Sequence, residues 1–266
     1  MTDSDTSETT DPLGEPAASE SGDASGLPLF YAEPRPLTAG RHGKLGIADG
    51  ANYGFAGKCN AIPLNAQEFV QASRDYPVVF AEAPPHLPMA ICGLRDDVNL
   101  FVDAAGDWAA DVYVPAYVRR FPFIFLERPD VEELVLCVEE GAGVLSETTE
   151  RPLFDADGTA SAFTDRAVEF CRTFHQQHRA TRRFAEALAE RGLLRENTTE
   201  LQLPEGRSLN IKGFRTVDPQ AFDALPDDVF LDWRRRGWLA PIYPHLASVG
   251  NWASLVRRAA RRQAEG

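Results

Sequence analysis

Apolar residues along this chain change rhythm near its middle. Up to about residue 140 they fall in short runs rich in branched and aromatic side chains, at 76–81, 89–94, 99–103 and 134–138, each bounded by Pro, Gly or Asp. Runs of that length and composition predict strands. The sequence Asp103-Ala-Ala-Gly106 followed by Asp107-Trp108 predicts a turn joining two antiparallel strands. A short helix is expected at 66–74, with Asn65 as its cap and Glu68 completing a capping box.

Past the middle the period lengthens. Phe170, Phe174, Gln177, Thr181, Phe184 and Leu188 recur at steps of three and four, which predicts one amphipathic helix over 164–191, stopped by Gly192. A hairpin follows, with strands at 199–203 and 208–214 about a turn at 204–207. From Pro219 to about Arg262 three short helices are expected, broken by Pro226, Gly237, Pro241 and Pro244. Strands first and helices later predict an α+β fold: an antiparallel-rich sheet in the N-terminal half, with the long helix and the short C-terminal helices packed on it. No fixed-period repeat is present and no long linker interrupts 27–266, so that stretch reads as a single domain.

Composition changes the picture mainly at the N-terminus. Residues 1–26 hold seven acids, no Lys or Arg, one leucine and no aromatic, which predicts a disordered acidic tail. The whole chain carries a net charge of −13. With −7 in the first 26 residues, the remainder is only mildly acidic, which argues against broad binding to nucleic acid or to an anionic membrane. No apolar run reaches the roughly 18 residues a membrane-spanning helix needs. The polar, acidic start is also unlike a secretory signal. Cys59, Cys92, Cys137 and Cys171 are widely spaced with no CxxC pair, so reduced, mostly buried thiols and a cytoplasmic location are expected.

Several uncommon words occur in a fixed order: Pro28-Leu-Phe-Tyr31, Asn60-Ala-Ile-Pro-Leu-Asn-Ala-Gln-Glu-Phe69, Asp75-Tyr-Pro-Val-Val-Phe80, Gly93-Leu-Arg-Asp-Asp-Val-Asn-Leu-Phe-Val-Asp103, Tyr113 to Phe125, Pro152-Leu-Phe-Asp-Ala-Asp-Gly158 and His245-Leu-Ala-Ser-Val249. In this order the chain resembles the SapC family of bacterial proteins. The family takes its name from a gene associated with a bacterial surface layer, and the resemblance implies no cofactor and supplies no catalytic residue. A peptide-transport permease of similar name spans the membrane, so that meaning does not apply here.

The densest chemistry lies in Tyr113-Val-Pro-Ala-Tyr-Val-Arg-Arg-Phe-Pro-Phe-Ile-Phe125, with five aromatics, two prolines and two adjacent arginines. If Pro115 opens a helical turn that Phe121-Pro122 closes, Arg119 and Arg120 can face one anion, beside Tyr113, Tyr117 and Phe123. If the segment is a strand, the two arginines face opposite ways. Ion pairs with Asp96, Asp97 or Asp103 are the structural alternative.

Arg95, Asp96, Asn99 and Asp103 form a second polar cluster, in which strand alternation would put Asn99 and Asp103 on one face. It reads as a metal or acid–base site, or as turn-forming residues. Asp155-Ala-Asp-Gly158 lacks the later ligands of a calcium loop and reads as a turn. His175 and His178 stand one helical turn apart but would need a third ligand such as Glu169, so no metal is expected. His42, His245 and Glu68 are pocket candidates, with hydrogen-bonded structural roles as the alternative. The basic stretches 233–238 and 257–262 are either solvated helix faces or docking faces for an acidic partner, the chain's own tail included.

Phosphate-loop, nucleophile-elbow, zinc-protease and iron-triad motifs are all missing, and no cofactor is expected. The leading expectation is a soluble binding or accessory protein with an aromatic and arginine pocket for a small acidic ligand or a protein partner, tied to cell-surface or uptake systems. One alternative is an enzyme modifying an acidic small molecule or peptide, with Asp103, Glu68 or His245 as acid or base. The other is a structural partner of a surface-layer or secretion assembly, which would expose an apolar patch of more than a few hundred Å².

Overall fold

In the computed structural model, every paired strand runs antiparallel to its neighbour, and the strands divide among three sheets. The structure describes residues 27–50, 52–128, 133–141, 143–203 and 208–265. The acidic segment 1–26 and the turn expected at 204–207 lie outside the described residues.

In chain order the first half comprises β1 (Pro34–Pro36), α1 (Ala39–His42), β2 (Gly46–Ile47), β3 (Ala61–Pro63), α2 (Phe69–Ala72), β4 (Val78–Ala81), β5 (Pro88–Ile91), α3 (Ala116–Arg119), β6 (Phe123–Arg128) and β7 (Glu133–Glu139). It continues with β8 (Leu145–Ser146), α4 (Ala162–Glu190), β9 (Leu194–Gln202), β10 (Ser208–Val217), α5 (Pro219–Asp223), α6 (Asp227–Arg236), α7 (Ile242–Ser248) and α8 (Trp252–Glu265). The fold class is α+β, as the change of period predicts.

The sheet is less segregated than expected. The hairpin β9–β10 joins strands from the first half, with Phe214 opposite Ala81 and Arg215 opposite Phe80, in a five-stranded sheet ordered β3-β5-β4-β10-β9. A second sheet, β1-β7-β6, and the two-stranded ribbon β2-β8 stand apart from it.

No strand forms at 99–103. The side chain of the fully buried Asn99 donates to the Ala56 carbonyl at 3.1 Å and accepts from the Phe101 N–H at 2.9 Å. An amide that captures neighbouring backbone groups competes with a strand ladder. A lone bridge, Val102 to Trp108, remains. Below it Asp103 Oδ1 accepts from the N–H groups of Ala105 and Asp107, so the expected turn is present without its strands.

Helix α4 organises the rest. Its cap is Ser161, whose Oγ accepts from the Thr164 N–H at 3.2 Å, and it ends before Gly192, where φ is +66°. Phe174, Phe184 and Leu188 enter the main core under the five-stranded sheet, each contributing about 1.5–3 kcal/mol by burial. Thr181, polar yet fully buried on that stripe, accepts from the Ala66 N–H at 2.8 Å and so ties α4 to the start of the 66–72 helical segment. The other end of α4 packs Phe163, Ala167 and Cys171 into a smaller core with Ile47, Phe123, Val138 and Leu153.

After the hairpin come four α-helices among the described residues, where three helices are expected. Pro226 caps α6 and Gly237 ends it with φ of +74°, as anticipated. Pro244 instead lies inside the first turn of α7, where its missing N–H removes no helical bond.

Candidate functional site

The segment from Tyr113 to Phe125 folds as the helical alternative requires. Pro115 caps the single turn α3 and Arg120 follows its last residue. The two arginines nevertheless separate. Arg119 is exposed; it donates to the Val114 carbonyl at 3.0 Å and to the Tyr113 hydroxyl at 3.2 Å, and its guanidinium lies 5.2 Å from the Phe170 ring centroid.

Arg120 is 4 % exposed, with its guanidinium 4.0 Å from the Tyr117 ring, 4.4 Å from Phe174 and 5.7 Å from Tyr31. Phe170 and Phe174 stand one turn apart on α4, so adjacent arginines meet successive turns of one helix. A shared anion clamp is therefore replaced by one surface cation and one caged in rings.

Behind α3 lies Glu68, 4 % exposed. Its Oε1 accepts from the Tyr113 hydroxyl at 2.9 Å and the Ala116 N–H at 2.7 Å, and its Oε2 from the Asn65 N–H at 2.8 Å. The last bond is the carboxylate half of the anticipated capping box. Burial raises the Glu68 pKa above its usual value, and the three donors offset only part of that rise.

In front of α3 the chain leaves a cleft of about 440 Å³, between α3, the first turns of α4 and the β2–β8 ribbon. Among the described residues three arginines line it, Arg119, Arg151 and Arg166, and no Asp or Glu does. Arg151 is held by a 2.6 Å bond to the Ala48 carbonyl. Arg166 is exposed and makes no hydrogen bond or ion pair among the described residues.

The remaining wall is largely aromatic. Phe55 and Phe121 stack with centroids 4.0 Å apart, and Phe163 tilts against Phe123 at 5.9 Å. Three like charges focused in an apolar concavity give a positive potential that a bound anion would relieve.

Of the residues singled out in the sequence, Arg119 and Phe123 reach this cleft. Tyr113 and Tyr117 support it from behind; the Tyr117 hydroxyl donates to the Leu29 carbonyl at 3.3 Å. Arg151 and Arg166 are absent from the sequence-based candidates. Arg166 carries a faint signal, since Phe163, Arg166, Ala167 and Phe170 share one face of α4 at steps of three and one.

The other candidates scatter. His42 is wholly buried, 2.9 Å from Glu140 Oε1, and Arg41 grips the same carboxylate through two 2.6 Å contacts. Arg41 first, and His42 second among the attractive partners, hold the Glu140 pKa below its usual value. His245, also buried, accepts from the Val217 N–H at 3.0 Å through Nε2 and packs 5.0 Å from the Phe80 ring; burial pushes its pKa down to about 4. Arg95 is exposed beside a 190 Å³ groove that also includes Asp97 and Arg262. Glu68, Asp103 and His245 therefore do not converge on the cleft.

The 155–158 segment is a turn, closed by an Asp155 N–H to Thr159 carbonyl bond of 2.8 Å, with Gly158 at φ +84°. Among the described residues no three His, Cys, Asp or Glu side chains are placed to hold a metal ion. The basic stretches are partly used within the fold. Arg236 pairs with Asp232 at 2.8 Å, Arg258 lies 4.4 Å from the Phe101 ring, and Arg262 donates to the carbonyls of Asn99 and Val102 at 2.6 and 3.1 Å. Among the described residues no helix is long and apolar enough to cross a membrane.

A model of the SapC family matches residues 37–255. No curated protein and no solved structure matches the chain.

Proposed function

The chain belongs to the SapC family, and we propose that it is a binding or accessory protein that holds a small anionic molecule in the cleft bordered by α3, α4 and the β2–β8 ribbon. One observation carries this reading. Arg119, Arg151 and Arg166 converge on an aromatic concavity whose lining, among the described residues, includes no carboxylate. Guanidinium groups gathered beside an apolar wall favour carboxylate or phosphate oxygens, which accept their planar donor pairs. The volume, about 440 Å³, is in the range of small-molecule sites.

The enzyme alternative has less support, because its proposed acids and base stand elsewhere and are occupied by backbone donors. A cytoplasmic location fits four cysteines that form no disulfide with one another, three of them buried.

The test is native mass spectrometry of the full chain purified from its host, beside an Arg119→Gln, Arg166→Gln variant with unchanged thermal unfolding. An anionic small molecule should accompany the wild type and be lost from the variant. Equal retention of every co-purifying ligand by both proteins would overturn the reading.

A further inference from the structure

The cleft's walls say more about the occupant than its charge does. Its lining includes the rings of Tyr53, Phe55, Phe121, Phe123, Phe163 and Phe170. They come from three separate parts of the chain: the 53–56 turn, the α3–β6 junction and the start of α4. Two of them, Phe55 and Phe121, are already stacked at 4.0 Å, and a third, Phe170, lies 5.2 Å below the Arg119 guanidinium. The cations are placed to match. Arg119 and Arg151 are anchored by carbonyls at 3.0 and 2.6 Å, whereas Arg166 is unanchored among the described residues.

Ring faces are electron-rich, so a bare oxyanion gains nothing from lying on them and must sit at the guanidinium groups. What then fills the apolar wall is the ligand's body. An aliphatic body gains area burial only, whereas an aromatic body also gains edge-to-face and offset-stacked contacts. A cleft of about 440 Å³ accommodates one or two fused rings and is short for a dinucleotide.

We infer that the natural occupant is an aromatic small molecule bearing an acidic substituent, with its ring among Phe55, Phe121 and Phe163 and its anion on Arg119 and Arg166. This rests on the reading of the cleft as an anion site, and deepens it by naming the body of the ligand.

Matched probes separate the two ideas: benzoate against cyclohexanecarboxylate, and phenyl phosphate against cyclohexyl phosphate, titrated into the full chain by chemical-shift perturbation. The aromatic member of each pair should bind about fivefold more tightly. Phe163→Leu, or Phe55→Leu if the first variant is destabilised, should shrink that preference, weakening phenyl phosphate more than cyclohexyl phosphate. Arg166→Gln should weaken all four, and the tighter of benzoate and phenyl phosphate identifies the anion. If ring and cyclohexyl probes bind equally and both depend on Arg166, the aromatic inference falls and the anion site stands. If no probe responds to Arg166→Gln or Arg119→Gln, both fall.

Discussion

Tyr113 donates its hydroxyl proton to Glu68 Oε1 across 2.9 Å, and the same hydroxyl accepts from Arg119 at 3.2 Å. A buried carboxylate is thereby joined, through one phenol, to a cation that lines the cleft. The local cap of the 66–72 segment, the turn α3 and the cleft wall form one hydrogen-bonded unit.

That unit makes stability depend on pH in a defined direction. Burial raises the Glu68 pKa above 4.5 in the folded chain. The folded state thus holds the proton more tightly than the unfolded one, and the stabilisation is fully present below pH 4.5. It is lost as pH rises through the raised value. Urea midpoints of wild type and Glu68→Gln should therefore converge or cross as pH is raised from 4; a difference that stays constant across that range contradicts the assignment.

His245 acts in the opposite sense. Its pKa falls from 6.5 to about 4 on folding, because burial disfavours the imidazolium. Stability from this group is complete above pH 6.5 and is lost between 6.5 and about 4, where only the unfolded chain takes up the proton. The full effect is roughly 3 kcal/mol at about 1.4 kcal/mol per pKa unit. His245→Gln, which keeps an acceptor for the Val217 N–H, should flatten the acid limb of the stability profile between those pH values.

Adjacent arginines should give unlike losses. Removing Arg120 strips a buried cation from three rings and leaves a void, so Arg120→Ala should lower unfolding free energy by about 3 kcal/mol. Arg120→Lys should recover only part of it, since an ammonium cannot stack as a plane on Tyr117 and Phe174. Arg119→Ala, at the surface, should cost about 1 kcal/mol or less. Equal shifts in denaturation midpoint for the two alanine variants would remove the distinction.

The ribbon that positions Arg151 depends on a close backbone approach at Gly46. A Cβ there would lie 2.3 Å from the Arg151 carbonyl oxygen and 2.4 Å from Thr149 Cγ2. Gly46→Ala should cost about 1–3 kcal/mol by overpacking and also weaken anion binding, because it displaces the segment carrying Arg151. Gly40→Ala is the control. A Cβ at that helical position meets nothing within 4 Å, so the change should be neutral or mildly stabilising.

The sequence made α4 legible because Phe174, Phe184 and Leu188 repeat at the helical period and all enter the core. The hairpin and the Asp155–Gly158 turn were legible for equally local reasons. Pairing of that hairpin with β4 was not, since Phe214 and Ala81 meet only through long-range packing. The failed strand at 99–103 shows a local rule overridden by another local rule, with Asn99 spending its amide on Ala56 and Phe101. The cleft was half legible. Arg119 stood out in an aromatic run, while Arg151 and Arg166 lie 32 and 47 positions further along and look like ordinary surface arginines until the chain folds. Nothing in a one-dimensional pattern states that these three arginines come to line one concavity.

The division of labour between Arg119 and Arg120 also governs how genetics on this chain must be interpreted. A double replacement reports a phenotype whether the damage is to folding or to ligand capture, and so discriminates nothing. Single replacements split the two, and a screen that scores abundance separately from uptake or binding would sort them into different bins although they share a peptide bond.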